Sequence, residues 1–211
     1  MMGMLMGALD VASQTADGSA RHRSRWRRIV FRTGLSIASV AVLFGAYVGI
    51  LILSGNFHEV VPGRFYRSAQ LSGARLGEEI DRYGIKTVIN LRGEGVGKGW
   101  YDDEVAATAA HGATHVDFGM SARKDLTPEK TQQLLALLKA AEQPILVHCM
   151  SGADRTGLAS VIFLQQVAGV DEEEAEWQLS PLYGHINLPF LAAYAMDDTW
   201  EKLEKVIGLD S

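Results

Sequence analysis

The 211 residues, 47% of them hydrophobic and five of them proline, are enough for one well-packed domain with an appendage. The net charge of −5 is uneven: residues 1–57 hold six arginines against two aspartates, whereas residues 58–211 hold 14 basic against 23 acidic residues. The acidic second part argues against nucleic acid as a partner, which needs a cationic surface, and the single cysteine excludes an intramolecular disulfide and a thiolate-rich metal site.

The first part of the chain combines a basic segment with an uncharged one. Residues 1–32 are small and polar, then rich in arginine, which predicts a disordered, basic cytoplasmic tail. Residues 33–57 contain no charged side chain. As a helix of about 37 Å they would cross a hydrocarbon core of about 30 Å with some tilt.

Two interpretations of residues 33–57 compete. The uncharged stretch is longer than the core of a secretory signal peptide, roughly 7–15 residues, and has no clear Ala-x-Ala cleavage site. This favours an uncleaved membrane anchor over a cleaved signal. Because the arginines precede the span, the positive-inside rule places the N-terminus in the cytoplasm and residues 58–211 across the membrane, in the periplasm of a Gram-negative cell.

Predicted strands and helices alternate through the rest of the chain. The strands cover residues 64–68, 85–91, 113–118 and 144–148. The helices cover residues 74–83, 102–111, 127–142 and 156–168, and two more begin near Asp171 and Asn187, with Trp177 expected to anchor the former in the core. This alternation predicts an α/β fold with a central, mostly parallel sheet flanked by helices. Ligands in such sheets lie beyond the carboxyl ends of the strands.

The turn after strand 144–148 carries the most chemistry. It reads His148-Cys149-Met150-Ser151-Gly152-Ala153-Asp154-Arg155-Thr156. Backbone N–H groups at such a turn form an anion-binding nest, to which the helix N-terminus adds its positive end. Gly152 permits a positive φ, and Arg155 offers a planar fork to two phosphate oxygens. The same field favours the thiolate form of Cys149, placed for in-line attack on a bound phosphorus.

The pattern His148-Cys149-x-x-Gly152-x-x-Arg155-Thr156 resembles the signature of the tyrosine-specific and dual-specificity protein phosphatase superfamily. Segments 65–70 and 84–92 look like those of its compact dual-specificity-like members in bacteria, plants and fungi, so the resemblance covers roughly residues 57–188. It implies a protein tyrosine phosphatase-like fold and a phosphocysteine intermediate on Cys149. It implies phosphate binding by the loop from Met150 to Arg155, support from His148, and assistance by Thr156 to the departing thiolate. No metal and no cofactor are implied.

The general acid of this superfamily is usually an Asp on a movable loop, often within Trp-Pro-Asp, a tripeptide that this chain lacks. Asp125 is the first candidate, because it lies on a loop after a strand at the expected end of the sheet. Asp154, inside the turn itself, is the second, and an Asp at that position resembles the inositol-lipid phosphatases such as the myotubularins. Asp117, within a strand, is the third.

The sequence as a whole therefore predicts a membrane-anchored enzyme, with residues 58–211 as its catalytic domain, that hydrolyses phosphotyrosine-type esters, with phosphoserine and phosphothreonine as further candidate substrates. An alternative substrate is an inositol phosphate, a phosphoinositide or another small phosphate ester. A phosphate-binding pseudophosphatase is disfavoured because Cys149 and Arg155 are both present. The expected partners are a phosphorylated protein or small ester, and the membrane through residues 33–57.

Overall fold

The computed structural model describes Trp26 and residues 30–208. The basic tail predicted over residues 1–32 therefore lies largely outside the described residues. The chain divides into two compact units, Met1–Gly49 and Ile50–Ser211.

Helix α1 runs from Val30 to Leu53 and is long and apolar enough to cross a membrane. No residue in its most apolar window is buried, although a signal sequence would share its length and composition. The uncharged segment 33–57 is thus helical up to Leu53. Gly55 and Asn56 end the helix because both adopt positive φ, at 66° and 47°, and residues 54–56 form a turn.

A five-stranded sheet, in the order β1-β2-β5-β3-β4, organises the second unit. Its strands are β1 (His58–Val61), β2 (Phe65–Ser68), β3 (Thr87–Asn90), β4 (Thr114–Asp117) and β5 (Ile145–His148). β1 is antiparallel to β2, and the other three neighbouring pairs are parallel. The predicted α/β fold with a mostly parallel sheet is confirmed. β1 was not predicted, because its four partly exposed residues show little hydrophobic pattern.

Helices cover both faces of the sheet. They are α2 (Gly73–Tyr83), α3 (Gly99–Ala110), α4 (Pro128–Ala140), α5 (Asp154–Phe163), α6 (Glu172–Glu176) and α7 (Ala195–Ile207). A π-helical turn, Leu164–Ala168, extends α5, and short 3₁₀ turns lie at Pro181–Tyr183 and Ala192–Tyr194.

Two predictions about the C-terminal helices are wrong. The helix expected near Asn187 begins only at Ala195, because the segment around Pro189 is irregular and leads into a 3₁₀ turn. Trp177 is 61% exposed, since it follows the short α6 at its C-terminal end rather than facing the core. The predicted helix start near Asp171 is confirmed, because α6 begins at Glu172 and the side chain of Asp171 accepts from the N–H of Glu173.

Alternation along the central strands produces two hydrophobic cores, one on each face of the sheet. Phe65, Ile89 and Val147 face the core shared with α4, α5 and α7, where Phe65 stacks on Phe163 at 4.0 Å between ring centroids. Their strand neighbours Tyr66, Val88 and Leu146 point to the opposite face and belong to the smaller core under α2. Burial on both faces explains why the central residues of β3 and β5 are apolar.

The carboxyl ends of four strands meet at one edge. Ser68 and Asn90 both pair with His148, and Asn90 also pairs with Asp117. The turn that follows His148 therefore lies at the centre of this edge.

Candidate active site

The loop after β5 forms a cradle, defined here as residues 149–156. Cys149 at its base is 1% exposed. Gly152 has φ 69°, and a Cβ at this position would lie 2.6 Å from the backbone nitrogen of Ala69. Only glycine fits there, as the sequence predicts. α5 begins at Asp154, so the free N–H groups of its first turn complete the cradle.

Arg155 and Thr156 each keep one polar group free inside this structure. Arg155 donates from Nη1 to the carbonyl oxygens of Leu91 and Met120, at 3.2 and 3.3 Å. Its Nε and the Oγ1 of Thr156 are buried, and neither has a hydrogen-bond partner among the described residues. Since an unpaired buried donor costs about 1–3 kcal/mol, these groups fit a site built to receive phosphate oxygens and a thiolate.

Arg67 holds the cradle from behind. Its side chain is fully buried in β2, where Nη2 donates to the carbonyl oxygen of Gly152 at 2.7 Å and Nη1 donates to that of Gln178 at 2.9 Å. The guanidinium also stacks on Tyr183, 3.9 Å from the ring centroid. Burial lowers the pKa of Arg67 to about 10, so the side chain stays charged at neutral pH. Because Arg67 binds the carbonyl oxygen of Gly152 on the outer side of the loop, the N–H groups of the loop can point inward, into the cradle.

Glu104 of α3 fixes His148 beside Cys149. Its Oε1 lies 3.1 Å from Nε2 of His148 and 2.7 Å from Nε2 of His115, and its Oε2 accepts from Gln70 at 2.5 Å. Burial opposes the charge of Glu104, but these hydrogen bonds outweigh it and lower its pKa to about 2. Glu104 is therefore a permanent anion.

Arg92 adds a second cation near the cradle. Its Nη1 donates to Oε1 of Gln70 at 2.8 Å, and its guanidinium lies over Trp100, 3.4 Å from the ring centroid. Burial and, to a smaller extent, the charge of Arg155 lower the pKa of Arg92.

Asp154, the second candidate acid, is bound to a buried histidine. Its Oδ1 lies 2.8 Å from Nδ1 of His185, whose Nε2 lies 2.9 Å from Oδ2 of Asp197 in α7. Burial disfavours the charged ring, but the two carboxylates outweigh it and raise the pKa of His185 to about 9. Asp154 thus accepts a hydrogen bond from the buried, protonated ring of His185.

Asp117, the third candidate, is also engaged as an acceptor. Asn90 donates to its Oδ1 at 2.8 Å, and the hydroxyl of Tyr101 donates to its Oδ2 at 2.5 Å. The hydrogen bond to Asp117 and burial raise the pKa of Tyr101 to about 12. This constellation joins the ends of β3 and β4 to α3.

Asp125, the first candidate, lies on the loop between β4 and α4 and pairs with Lys202 of α7 at the surface. The next residue, Leu126, donates its N–H to Oγ1 of Thr199. Among the described residues, no hydrogen bond joins Asp125 to the cradle. The same loop nevertheless touches the cradle through the carbonyl of Met120, which accepts from Arg155.

The structure thus brings together the sequence-predicted residues from His148 to Thr156 and leaves Asp125 apart from them. Arg67, Glu104 and His185 were missed. Arg67 had a signal, a charge next to the aromatic residues Phe65 and Tyr66 in the predicted strand 64–68. Glu104 and His185 had none, because their partners lie 44 and 31 positions away.

The family model of the tyrosine phosphatase family matches residues 51–186. Among solved structures, TpbA of Pseudomonas aeruginosa is 24% identical, with a TM-score of 0.53 over 74% of this chain and 86% of that one. A cysteine-to-serine variant of TpbA in complex with phosphotyrosine is 23% identical (TM-score 0.54; 71% and 91%). The catalytic core of the PP-IP phosphatase Siw14 from Saccharomyces cerevisiae is 21% identical (TM-score 0.52; 73% and 93%). No curated protein sequence matches this chain.

Proposed function

Because the chain belongs to the tyrosine phosphatase family and is a cysteine-dependent phosphatase, we propose that it hydrolyses phosphotyrosine-type monoesters through a phosphocysteine intermediate on Cys149. The observation that carries this proposal is the cradle itself. It places Cys149 at the carboxyl end of a central strand, with the unpartnered Arg155 Nε and Thr156 Oγ1 in the helix turn that follows.

In the first proposed step, the Sγ thiolate of Cys149 attacks phosphorus as the bond to the ester oxygen breaks. The cradle N–H groups and Arg155 bind the three remaining phosphoryl oxygens. The leaving oxygen takes a proton from the general acid, which makes a poor leaving group into an alcohol or phenol.

In the second proposed step, water attacks the phosphocysteine and the S–P bond breaks. The residue that gave its proton in the first step takes one from this water. The hydroxyl of Thr156 donates to the departing thiolate, which returns the enzyme to its starting state.

Asp125 is the proposed general acid. Asp117 and Asp154 are both held by buried or well-packed donors, whereas the partner of Asp125 is an exposed lysine whose pairing contributes little stability. Asp125 therefore has the freedom that a movable loop requires, and reaching the cradle means breaking the pair with Lys202.

The substrate class rests on the depth of the cradle and on the relatives. Cys149 lies at the base of a narrow turn and is 1% exposed, so a long phosphotyrosine side chain reaches it more easily than a short phosphoserine. The TpbA variant was solved with phosphotyrosine. Arg92 favours a second candidate, a small molecule with more than one phosphate such as an inositol polyphosphate, because Arg92 is a second cation whose pKa Arg155 lowers.

We also propose that α1 anchors the chain in a membrane, with the basic tail in the cytoplasm and residues 58–211 outside it. The length and apolar composition of Val30–Leu53 and the arginines that precede it support this arrangement.

A substrate profile of the full chain in detergent tests the proposed activity. Released phosphate is measured with a phosphotyrosine peptide, a phosphoserine peptide, an inositol polyphosphate and a phosphoinositide. The highest kcat/KM is expected for phosphotyrosine, and Cys149→Ser should hydrolyse none of the four. A preference for the inositol polyphosphate that disappears in Arg92→Gln would favour the second candidate. No turnover of any of them would contradict the proposal.

A further inference from the structure

Three glutamates bring their carboxylates together on the side of the molecule formed by α6 and α7. Glu172 and Glu176 lie four positions apart on α6 and so share one face of that helix. Glu204 comes from α7. One carboxylate oxygen from each of the three lies within 4.8 Å of the other two.

This acidic cluster is unusual because one of its members is almost fully buried and has a carboxylate oxygen that no hydrogen-bond donor of the described residues contacts. Glu204 is only 2% exposed, although carboxylates are almost never buried unless they are paired. Its Oε1 and that of Glu172 are buried and accept no hydrogen bond from the described residues. Glu176 accepts one, from the indole N–H of Trp200 at 2.9 Å.

No cation balances these charges among the residues that the structure describes. None of the ion pairs there includes any of the three glutamates. Charges of one sign at this distance repel one another strongly when they are shielded from water. A positive charge placed among them would satisfy the unpaired oxygens and remove the repulsion.

We propose that Glu172, Glu176 and Glu204 bind a divalent cation, and that Ca²⁺ fits best. An all-oxygen, all-carboxylate donor set is the one preferred by hard cations. Oxygens bound to one Ca²⁺ at about 2.3–2.6 Å can lie up to about 5 Å apart, which suits the observed spacing. Mg²⁺ gives up its water reluctantly, so a buried ligand such as Glu204 disfavours it.

The bound ion would join α6 to α7. α7 also carries Asp197, which binds His185 behind the cradle. The site is therefore structural and distinct from the phosphate cradle, and its occupancy should be visible in stability whatever the substrate of the enzyme proves to be.

Thermal unfolding of the full chain in detergent, after treatment with a chelator, tests the proposal. Ca²⁺ should raise the melting temperature saturably, on the order of 5 °C when it is well above its Kd, and Mg²⁺ at the same concentration should raise it much less. Tb³⁺, which occupies Ca²⁺ sites, should show tryptophan-sensitised emission because Trp200 is bound to Glu176, and Ca²⁺ should displace it.

Variants separate this site from general binding to an acidic surface. Glu204→Gln and Glu176→Gln should each abolish both responses; the second changes an exposed side chain, so folding should be preserved. Glu174→Gln and Glu201→Gln, exposed controls on the same two helices, should respond like the wild type. A wild-type melting temperature that ignores Ca²⁺, an equal response to Mg²⁺, or responses that persist in Glu204→Gln and Glu176→Gln would each overturn the proposal.

Discussion

Arg67 and Arg155 are the two arginines of the cradle region, and their hydrogen bonds show which of them is structural. Both Nη atoms of Arg67 donate to oxygens of the cradle and of Gln178, and only its Nε has no hydrogen-bond partner among the described residues. Among the described residues, Arg155 donates from Nη1 alone, and its acceptors are the carbonyl oxygens of Leu91 and Met120 outside the cradle. The first side chain shapes the cradle, and the second remains available to a phosphate.

Replacement of Arg67 should therefore act on stability. Arg67→Met leaves buried carbonyl oxygens of Gly152 and Gln178 without a donor, so the free energy of unfolding should fall by about 2–4 kcal/mol. Urea denaturation of the full chain in detergent measures this. Arg64→Met, an exposed change three positions earlier in the chain, should cost much less, and equal losses for both variants would refute the structural role of Arg67.

The general acid gives a second prediction at the residue scale. Asp125→Asn should slow hydrolysis of phosphotyrosine by about 10²–10⁴-fold. It should slow an activated nitrophenyl phosphate far less, because that leaving group needs no proton. Steady-state kcat and kcat/KM of wild type and Asp125→Asn on both substrates measure this difference.

Asp154→Asn and Asp117→Asn are the matched comparisons, and both should affect the two substrates alike. A leaving-group-selective defect in Asp154→Asn, with Asp125→Asn near wild type, would assign the acid to the cradle. That result would also favour inositol lipids as substrates.

The buried hydrogen bonds between polar side chains of different elements could not be predicted from the sequence. The cradle was predictable because its residues are contiguous and the strand-to-helix turn imposes their roles. The partners of Glu104 and His185 come from other elements, 11 to 44 positions away in the chain, and no local sequence pattern predicts them. The sheet was predictable because β3 and β5 carry apolar residues on both faces, whereas β1 is only partly buried. Propensity alone could not place the start of α7, where tertiary packing decides.

The link from α5 to α7 through His185 should depend on pH. The pKa of His185 is about 9 in the folded state against 6.5 for the free side chain. Its contribution is therefore fully present below about pH 6.5 and is lost as the pH rises through about 9. His185→Gln should lower the free energy of unfolding at pH 6 by on the order of 2 kcal/mol, and much less at pH 10.

Urea denaturation of wild type and His185→Gln across this range measures the difference. His111→Gln is the control, because His111 pairs with Asp81 on the exposed surface. A difference between wild type and His185→Gln that stays constant or grows with rising pH would show that His185 is not held as an imidazolium.

At the scale of the whole molecule, the chain separates an apolar, basic beginning from an acidic catalytic unit. The acidic unit attracts no anion by its net charge, so phosphate binding depends on the local field of the cradle N–H groups, Arg155 and Arg92. In the arrangement that we propose, the beginning of the chain anchors the protein in the membrane and takes no part in the chemistry.

Location can be measured with a reporter that is active only outside the cytoplasm, fused after Ser211. The reporter should be active, and mass spectrometry should find the residues before α1 still attached to the mature protein. A new N-terminus between Gly45 and Phe57 would identify a cleaved signal. If this reporter is inactive and a reporter that works only in the cytoplasm is active at the same position, the orientation is the opposite of the one proposed.

The covalent intermediate on Cys149 is the central claim, and acid quenching during turnover tests it most directly. The full chain and its Thr156→Ala variant are mixed with an aryl phosphate, quenched within milliseconds to seconds, digested and analysed by mass spectrometry. One phosphate per chain should be found on the peptide that contains Cys149, and more of it should accumulate in Thr156→Ala because the thiolate leaves more slowly. Steady turnover with no phosphorylated peptide in either protein, or phosphate on a residue other than Cys149, would contradict the account.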